Sequence, residues 1–114
     1  MPPKRNPLNL NPLQLKTLTL LQELAKLEDY SKPGTEGAVF ITSLPHAHGD
    51  HFHLGSFLVR AQDATGLSNQ AVWTALERKG LIRADETQGV AVTADGLAYD
   101  TGLRDRILQG GGHH

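Results

Sequence analysis

The chain has 114 residues, of which 39% are hydrophobic and 20% charged, and its formal net charge is −1. This length allows one domain with a modest core, and the near-neutral charge argues mildly against a dedicated nucleic-acid binder. The chain has no cysteine, which excludes disulfide bonds and thiolate metal sites and favours a reducing compartment. No apolar run reaches the ~18 residues of a membrane span, and MPPKRNPLNL has no apolar signal-peptide centre. We therefore expect a cytoplasmic protein without a membrane partner.

The first predicted helix is NPLQLKTLTLLQELAKLEDY, residues 11–30. Asn11 is a favourable N-cap, Pro12 suits the first helical position, and Gln14 stands where a capping box places Glu or Gln. A leucine stripe predicts burial against a core. It comprises Leu13, Leu18, Leu20, Leu21, Leu24 and Leu27.

The two ends of the chain differ in composition from the middle. Residues 1–10 are rich in proline and are expected to form a flexible arm. Residues 110–114, GGGHH, are expected to form a disordered tail. The sequence therefore predicts a single domain over residues 11–109.

Three further segments follow the first helix. SKPGTEG (31–37) is typical of a loop, and the β-branched and aromatic residues of AVFITSL predict a short strand over 39–43. After the histidine-rich stretch 46–54, SFLVRAQDAT (56–65) predicts a second helix that Ser56 can cap.

Residues 66–109 predict a helix, a hairpin and a last helix. The helix spans 68–79, with Ser68 as N-cap and a left-handed glycine at its end. Strands over 81–84 and 90–93, joined by a polar tip, predict the hairpin. Thr93 can cap the last helix, ADGLAYDTGLRDRILQ, which two internal glycines weaken.

The order helix–strand–helix–helix–β-hairpin–helix resembles that of winged helix-turn-helix transcription regulators. GLSNQAVWTALERKGLI (66–82) is similar to their recognition-helix segment, and VTADGLAYDTGL (92–103) resembles the start of the post-wing helix in multiple-antibiotic-resistance-type repressors. The resemblance covers residues 56–105. It implies an α+β winged-helix fold, with helix 68–79 in the major groove of double-stranded DNA and hairpin 83–92 as the wing.

The helical periodicity of 68–79 separates an apolar arc from a polar one. Val72, Trp73 and Leu76 share the arc that should be buried. The opposite arc carries amide, hydroxyl and guanidinium groups that can hydrogen-bond base edges, and flanking groups can meet phosphates. The expected DNA-binding residues are Ser68, Gln70, Thr74, Arg78, Lys79, Arg83 and Gln88.

One alternative function fits the same pattern, and a homodimer is expected in addition. The wing carries Asp85 and Glu86, which would repel phosphate, so a winged-helix protein-interaction module without DNA binding fits the same pattern. Regulators of this type commonly bind two half-sites as dimers, and the first and last helices are the candidate homodimer contacts.

The stretch HAHGDHFHL (46–54) matches the H-x-H-x-D-H signature of the metallo-β-lactamase superfamily through His46, His48, Asp50 and His51. That fold is much larger than this chain and needs further ligands downstream, whereas no histidine follows His53 before the tail. The match is therefore interpreted as coincidental. Since the chain also has no cysteine nucleophile and no G-x-S-x-G motif, we expect no enzyme.

A smaller metal role stays open for this stretch. Imidazole and carboxylate groups suit Zn²⁺ or Ni²⁺, so a metal-responsive regulator is a minor alternative, against a polar surface loop. In an extended segment, His51 and His53 project to the same side. The candidate metal ligands are His46, His48, Asp50, His51 and His53.

Overall fold

The computed structural model describes residues 6–46, 49–85 and 89–110, which form an α+β protein with two antiparallel sheets. The helices are α1 (Pro12–Leu24), α2 (Gln70–Arg78), α3 (Ala94–Ala98) and α4 (Arg104–Ile107). The strands are β1 (Ser31–Pro33), β2 (Val39–Ile41), β3 (His51–Leu54), β4 (Phe57–Arg60), β5 (Ile82–Asp85), β6 (Gly89–Val92) and β7 (Gln109–Gly110). Two 3₁₀ turns, Ala61–Asp63 and Thr65–Ser68, precede α2. Within these described ranges, none of the helices is long and apolar enough to cross a membrane.

Helix α1 begins with the predicted capping box. The Asn11 side chain accepts from the Gln14 amide at 2.8 Å, and the Gln14 side chain accepts from the Asn11 amide at 3.0 Å. The middle of the helix is buried on almost every side, because even Thr17 and Thr19 are within 1% of complete burial. Their hydroxyls donate to the carbonyls four residues earlier, which satisfies them without water. α1 is therefore the centre of the core, around which the other elements pack.

An ion pair between a buried carboxylate and a half-exposed arginine joins α1 to α4. Glu23, at 6% exposure, accepts hydrogen bonds from Arg104 Nε at 2.9 Å and from Lys26 Nζ at 3.0 Å. Burial raises the pKa of the Glu23 carboxyl, but the hydrogen bonds and charges of Arg104 and Lys26 outweigh it, so the pKa lies below its ordinary value. The Arg104 guanidinium also lies over the Phe57 ring, 5.2 Å from its centroid.

The larger sheet has the strand order β1-β2-β6-β5. β2 pairs with β6 in the register Phe40↔Ala91, so the β5–β6 hairpin is joined to β2 in the middle of this sheet. Strand β1 lies where the sequence predicted only a loop. It is an edge strand. Because Gly34 donates to Ala38 and Tyr30 accepts from Thr42, on either side of β2, the Pro33 nitrogen faces the outside, where its missing N–H interrupts the edge.

The helix predicted over 56–65 is wrong, because a β-hairpin occupies this part of the chain. Strands β3 and β4 pair in the register Phe52↔Val59, joined by a two-residue turn in which Gly55 has φ +59°. Glycine in that position is what a tight hairpin turn favours. The register buries Leu54 and Val59, at 2% and 1% exposure, and β7 extends the hairpin into a three-stranded sheet.

The last predicted helix is interrupted. It starts as expected at Thr93, whose hydroxyl accepts from the Gly96 amide, but α3 ends at Ala98 and α4 begins only at Arg104. Gln22 of α1 donates to the carbonyls of Gly96 and Tyr99, which satisfies the end of α3.

Part of the expected N-terminal arm packs on this region. Leu10 is buried at 4% exposure. The Tyr99 hydroxyl donates to Asn6 Oδ1 and accepts from the Leu8 amide. Residues 6–10 are therefore held against the core, and residues 1–5 lie outside the described residues.

Candidate nucleic-acid interface

The start of α2 is fixed by a 3₁₀ turn rather than by the predicted Ser68 cap. Asn69 is the N-cap, since its side chain accepts from the Ala71 amide at 2.9 Å. Ser68 instead ends the preceding turn, and its hydroxyl donates to the Thr65 carbonyl at 3.2 Å. The helix consequently begins at Gln70, two residues later than predicted.

The turn Thr65–Ser68 packs between α1 and α2. Trp73, predicted to be core, is half-buried against the core, and its indole N–H donates to the Leu67 carbonyl at 3.0 Å. Gly66 packs so closely on Thr17 that a Cβ at this position would overlap the threonine hydroxyl. The orientation of α2 relative to α1 is thus set by buried contacts on both sides of the turn.

The polar arc of α2 is presented to solvent. Val72 and Leu76 are buried at 4% and 0% exposure, while Gln70 and Arg78 are exposed and Thr74 is half-buried. Because Gln70, Thr74 and Arg78 are spaced four residues apart, they form one row along the helix, and Gln70 Nε2 lies 3.5 Å from Thr74 Oγ1. This row brings three of the predicted DNA-binding side chains together.

The remaining predicted contacts lie at the end of α2 and along the hairpin. Lys79, at the C-cap, is exposed and donates to the Leu8 carbonyl at 2.8 Å. Arg83 is exposed on β5, opposite Ala91 of β6. Within the described residues, neither Arg78 nor Arg83 takes part in an ion pair. Gln88 lies outside the described residues.

Glu77 is a functional candidate that the sequence reasoning missed. Its Oε2 accepts from the Ala84 amide of β5 at 3.3 Å, which links α2 directly to the hairpin. The bond also blocks an outward-facing N–H of an edge strand. It places a carboxylate between the helix and the wing, next to Arg78 in sequence. No local sequence pattern predicts this contact, because it depends on how the β5–β6 hairpin folds back onto α2.

The last four residues of the histidine-rich stretch, His51–Leu54, form strand β3. His51 and His53 project to the same side, as predicted, with their ring centroids 5.1 Å apart and the rings at 87°. Asp50 Oδ1 lies 3.4 Å from His51 Nδ1. His46 is exposed in the segment before β3, and His48 lies outside the described residues. Among the residues described, no three such side chains converge as ligands of one metal ion.

Comparison with known protein families, with curated proteins and with solved structures found no match to this chain. The functional conclusions therefore depend on its own residues.

Proposed function

We propose that the protein is a small DNA-binding transcription regulator of winged-helix type that acts in the cytoplasm. Helix α2 lies in the major groove, where Gln70, Thr74 and Arg78 meet base edges. Lys79 and Arg83 contact phosphates, and the β5–β6 hairpin serves as the wing. Ser68 and Gln88 are assigned to further phosphate contacts on either side of these residues.

The observation that carries the proposal is the row Gln70–Thr74–Arg78 on a helix whose opposite face is buried. Such a row presents amide, hydroxyl and guanidinium groups to solvent on a rigid support. The support is rigid because Gly66 of the preceding turn packs on Thr17 of α1, and because Glu77 accepts a hydrogen bond from the hairpin that follows. Rigid presentation of hydrogen-bonding groups is what base-edge recognition requires.

The topology also supports a winged helix, with one departure. The pairing of β2 with β6 joins the proposed wing to the strand that the sequence predicted over residues 39–43. The β3–β4 hairpin stands where the helix-turn-helix resemblance implied a helix. In this proposal, the hairpin and its following 3₁₀ turns take over the role of positioning α2.

A pair of charge-removing variants tests the proposal. Arg78→Ala removes one cation from the proposed interface, and Lys32→Ala removes one exposed cation from β1. We expect Arg78→Ala to weaken duplex binding about tenfold, as for the loss of one base contact, while Lys32→Ala has little effect. Thr74→Ala should weaken binding without altering the unfolding transition. Equal effects of Arg78→Ala and Lys32→Ala would contradict the assignment of α2 as the interface.

The Glu77 carboxylate favours a second candidate, a protein-interaction module. An anion fixed between helix and wing repels phosphate and suits a basic partner surface. Glu77→Gln distinguishes the two functions, because it keeps a hydrogen-bond acceptor and removes the charge. DNA binding predicts tighter duplex binding by this variant, whereas no duplex binding by either form at low salt supports the interaction module.

The homodimer implied by the resemblance remains a proposal. The central leucines of α1 are occupied in the protein's own core, so that they offer little surface to a second copy. We therefore assign dimer contacts to the C-terminal segment around α4. Sedimentation of the protein with and without duplex DNA tests this assignment.

A further inference from the structure

The outer face of the β3–β4–β7 sheet carries a pair of imidazoles that DNA binding does not use. Residues directly opposite each other share a face, so His51 lies beside Arg60, and His53 beside Leu58. The core residues Leu54 and Val59 point the other way. The two histidines are therefore held side by side by the strand register rather than by a flexible loop.

The spacing of the two rings matches a shared metal ion. An ion about 2.0–2.1 Å from one nitrogen of each ring lies ~3.2 Å from each centroid, so tetrahedral geometry places the centroids ~5.2 Å apart. The centroids of His51 and His53 are 5.1 Å apart. A strand thus presents two ligands at nearly the separation that one ion demands.

The surroundings suit an ion with an open coordination sphere. Asp50 Oδ1 lies 3.4 Å from His51 Nδ1, on the side from which carboxylates orient metal-binding histidines, and this assigns coordination to Nε2. Beside His51 is an open concavity of about 290 Å³, lined also by Arg60, Gln62 and Gln109. It has room for water or a small anion as the remaining ligands. The Arg60 guanidinium in this lining opposes a bound cation, and its exposure to solvent weakens this repulsion.

We propose that His51 and His53 chelate one divalent transition-metal ion, Zn²⁺, Ni²⁺ or Co²⁺, with Asp50 positioning His51. Two imidazoles are borderline ligands that suit these ions better than Mg²⁺ or Ca²⁺. The remaining coordination positions face the concavity. This site is independent of the proposed DNA interface, since none of its residues lies on α2 or on the β5–β6 hairpin.

The proposal is tested by titrating the full chain with ZnCl₂ and measuring the binding by calorimetry and by NMR of the histidine rings. The background carries His113→Ala and His114→Ala, which removes the imidazoles of the tail. We expect one ion per chain and perturbation of both strand histidines. The double variant His51→Ala/His53→Ala should bind about 100-fold more weakly, and Asp50→Asn about tenfold more weakly.

Thr35→Ala is the control, because it removes an exposed, uncharged side chain between β1 and β2 of the other sheet and no imidazole or carboxylate. It should leave the affinity unchanged. Circular dichroism of each apo variant verifies that the fold is kept, since His51 and His53 lie on the outer face of the sheet and Asp50 is exposed. Unchanged Zn²⁺ affinity in His51→Ala/His53→Ala, or no Zn²⁺ binding by the background protein, would overturn the proposal.

Discussion

Arg104→Ala tests the ion pair that holds α4 on α1. The substitution removes two hydrogen bonds to Glu23, at 2.9 Å from Nε and 3.5 Å from the second guanidinium nitrogen. It also removes the cation above the Phe57 ring. Glu23 keeps Lys26 as a partner at 3.0 Å, so the carboxylate is not left alone.

The expected loss in the free energy of unfolding is about 2 kcal/mol at pH 7. Breaking a fully buried ion pair costs about 3–5 kcal/mol, and a hydrogen bond to a charged group contributes about 1.5–3 kcal/mol. The range for one hydrogen bond applies, because the Arg104 side chain is 49% exposed and Lys26 still pairs with Glu23 in the variant. Loss of the contact with Phe57 adds about 0.5 kcal/mol at most at such an exposed site.

The pH dependence gives a second, independent readout. In the folded wild type, the pKa of Glu23 lies below its ordinary value of 4.5, so its contribution is present above that pH and is lost as the pH falls through the folded pKa. Arg104→Ala removes the largest of the influences that lower this pKa. The stability difference between wild type and variant should therefore shrink between pH 7 and pH 3.

Urea unfolding followed by circular dichroism measures both effects. Arg106→Ala is the control, since it removes an exposed cation from the same helix and should change stability by less than about 0.5 kcal/mol. Equal losses for the two variants, or a difference that stays constant down to pH 3, would refute the account of the Glu23–Arg104 pair.

Three further substitutions test the frame that positions α2. Gly66→Ala should lower the free energy of unfolding by about 2–3 kcal/mol, because the new Cβ overlaps the Thr17 hydroxyl. Adding Thr17→Ala should recover part of this loss, whereas additive effects of the two substitutions in urea unfolding would contradict the contact. Asn11→Ala should cost about 1 kcal/mol of unfolding free energy through loss of the capping box; an unchanged midpoint would count against it. Tyr99→Phe should speed hydrogen exchange at the Leu8 and Leu10 amides, while protection unchanged from wild type would show that the hydroxyl does not hold this segment.

Local sequence signals predicted the elements whose determinants are local. The Asn11–Gln14 box, the Thr93 cap and the left-handed Gly80 at φ +77° are each confirmed. Each depends on residues within four positions of one another, where intrinsic preferences decide the conformation. The polar arc of α2 was predicted for the same reason, since helical periodicity follows from spacing alone.

The β3–β4 hairpin was missed because two local signals conflicted. Phe57, Leu58 and Ala61 can lie on one side of a helix, which favoured helix over 56–65. The alternation of His51 to Leu54 and the Gly55–Ser56 pair indicate a hairpin instead, and burial of both strands' apolar sides decides between them. The bonds from Lys79 to Leu8 and from Glu77 to β5 could not be predicted, because they join segments that only the tertiary fold brings together.

The most direct test of the central claim is the salt dependence of duplex DNA binding, measured by fluorescence anisotropy with a mixed-sequence duplex. The account predicts binding at low salt that weakens as salt rises. With Lys79 and Arg83 as phosphate contacts, the logarithmic slope should be about −2 per chain, and Lys79→Ala should reduce its magnitude by about 1. A folded protein that binds no duplex at low ionic strength, or a slope that Lys79→Ala leaves unchanged, would contradict the claim that α2 binds DNA.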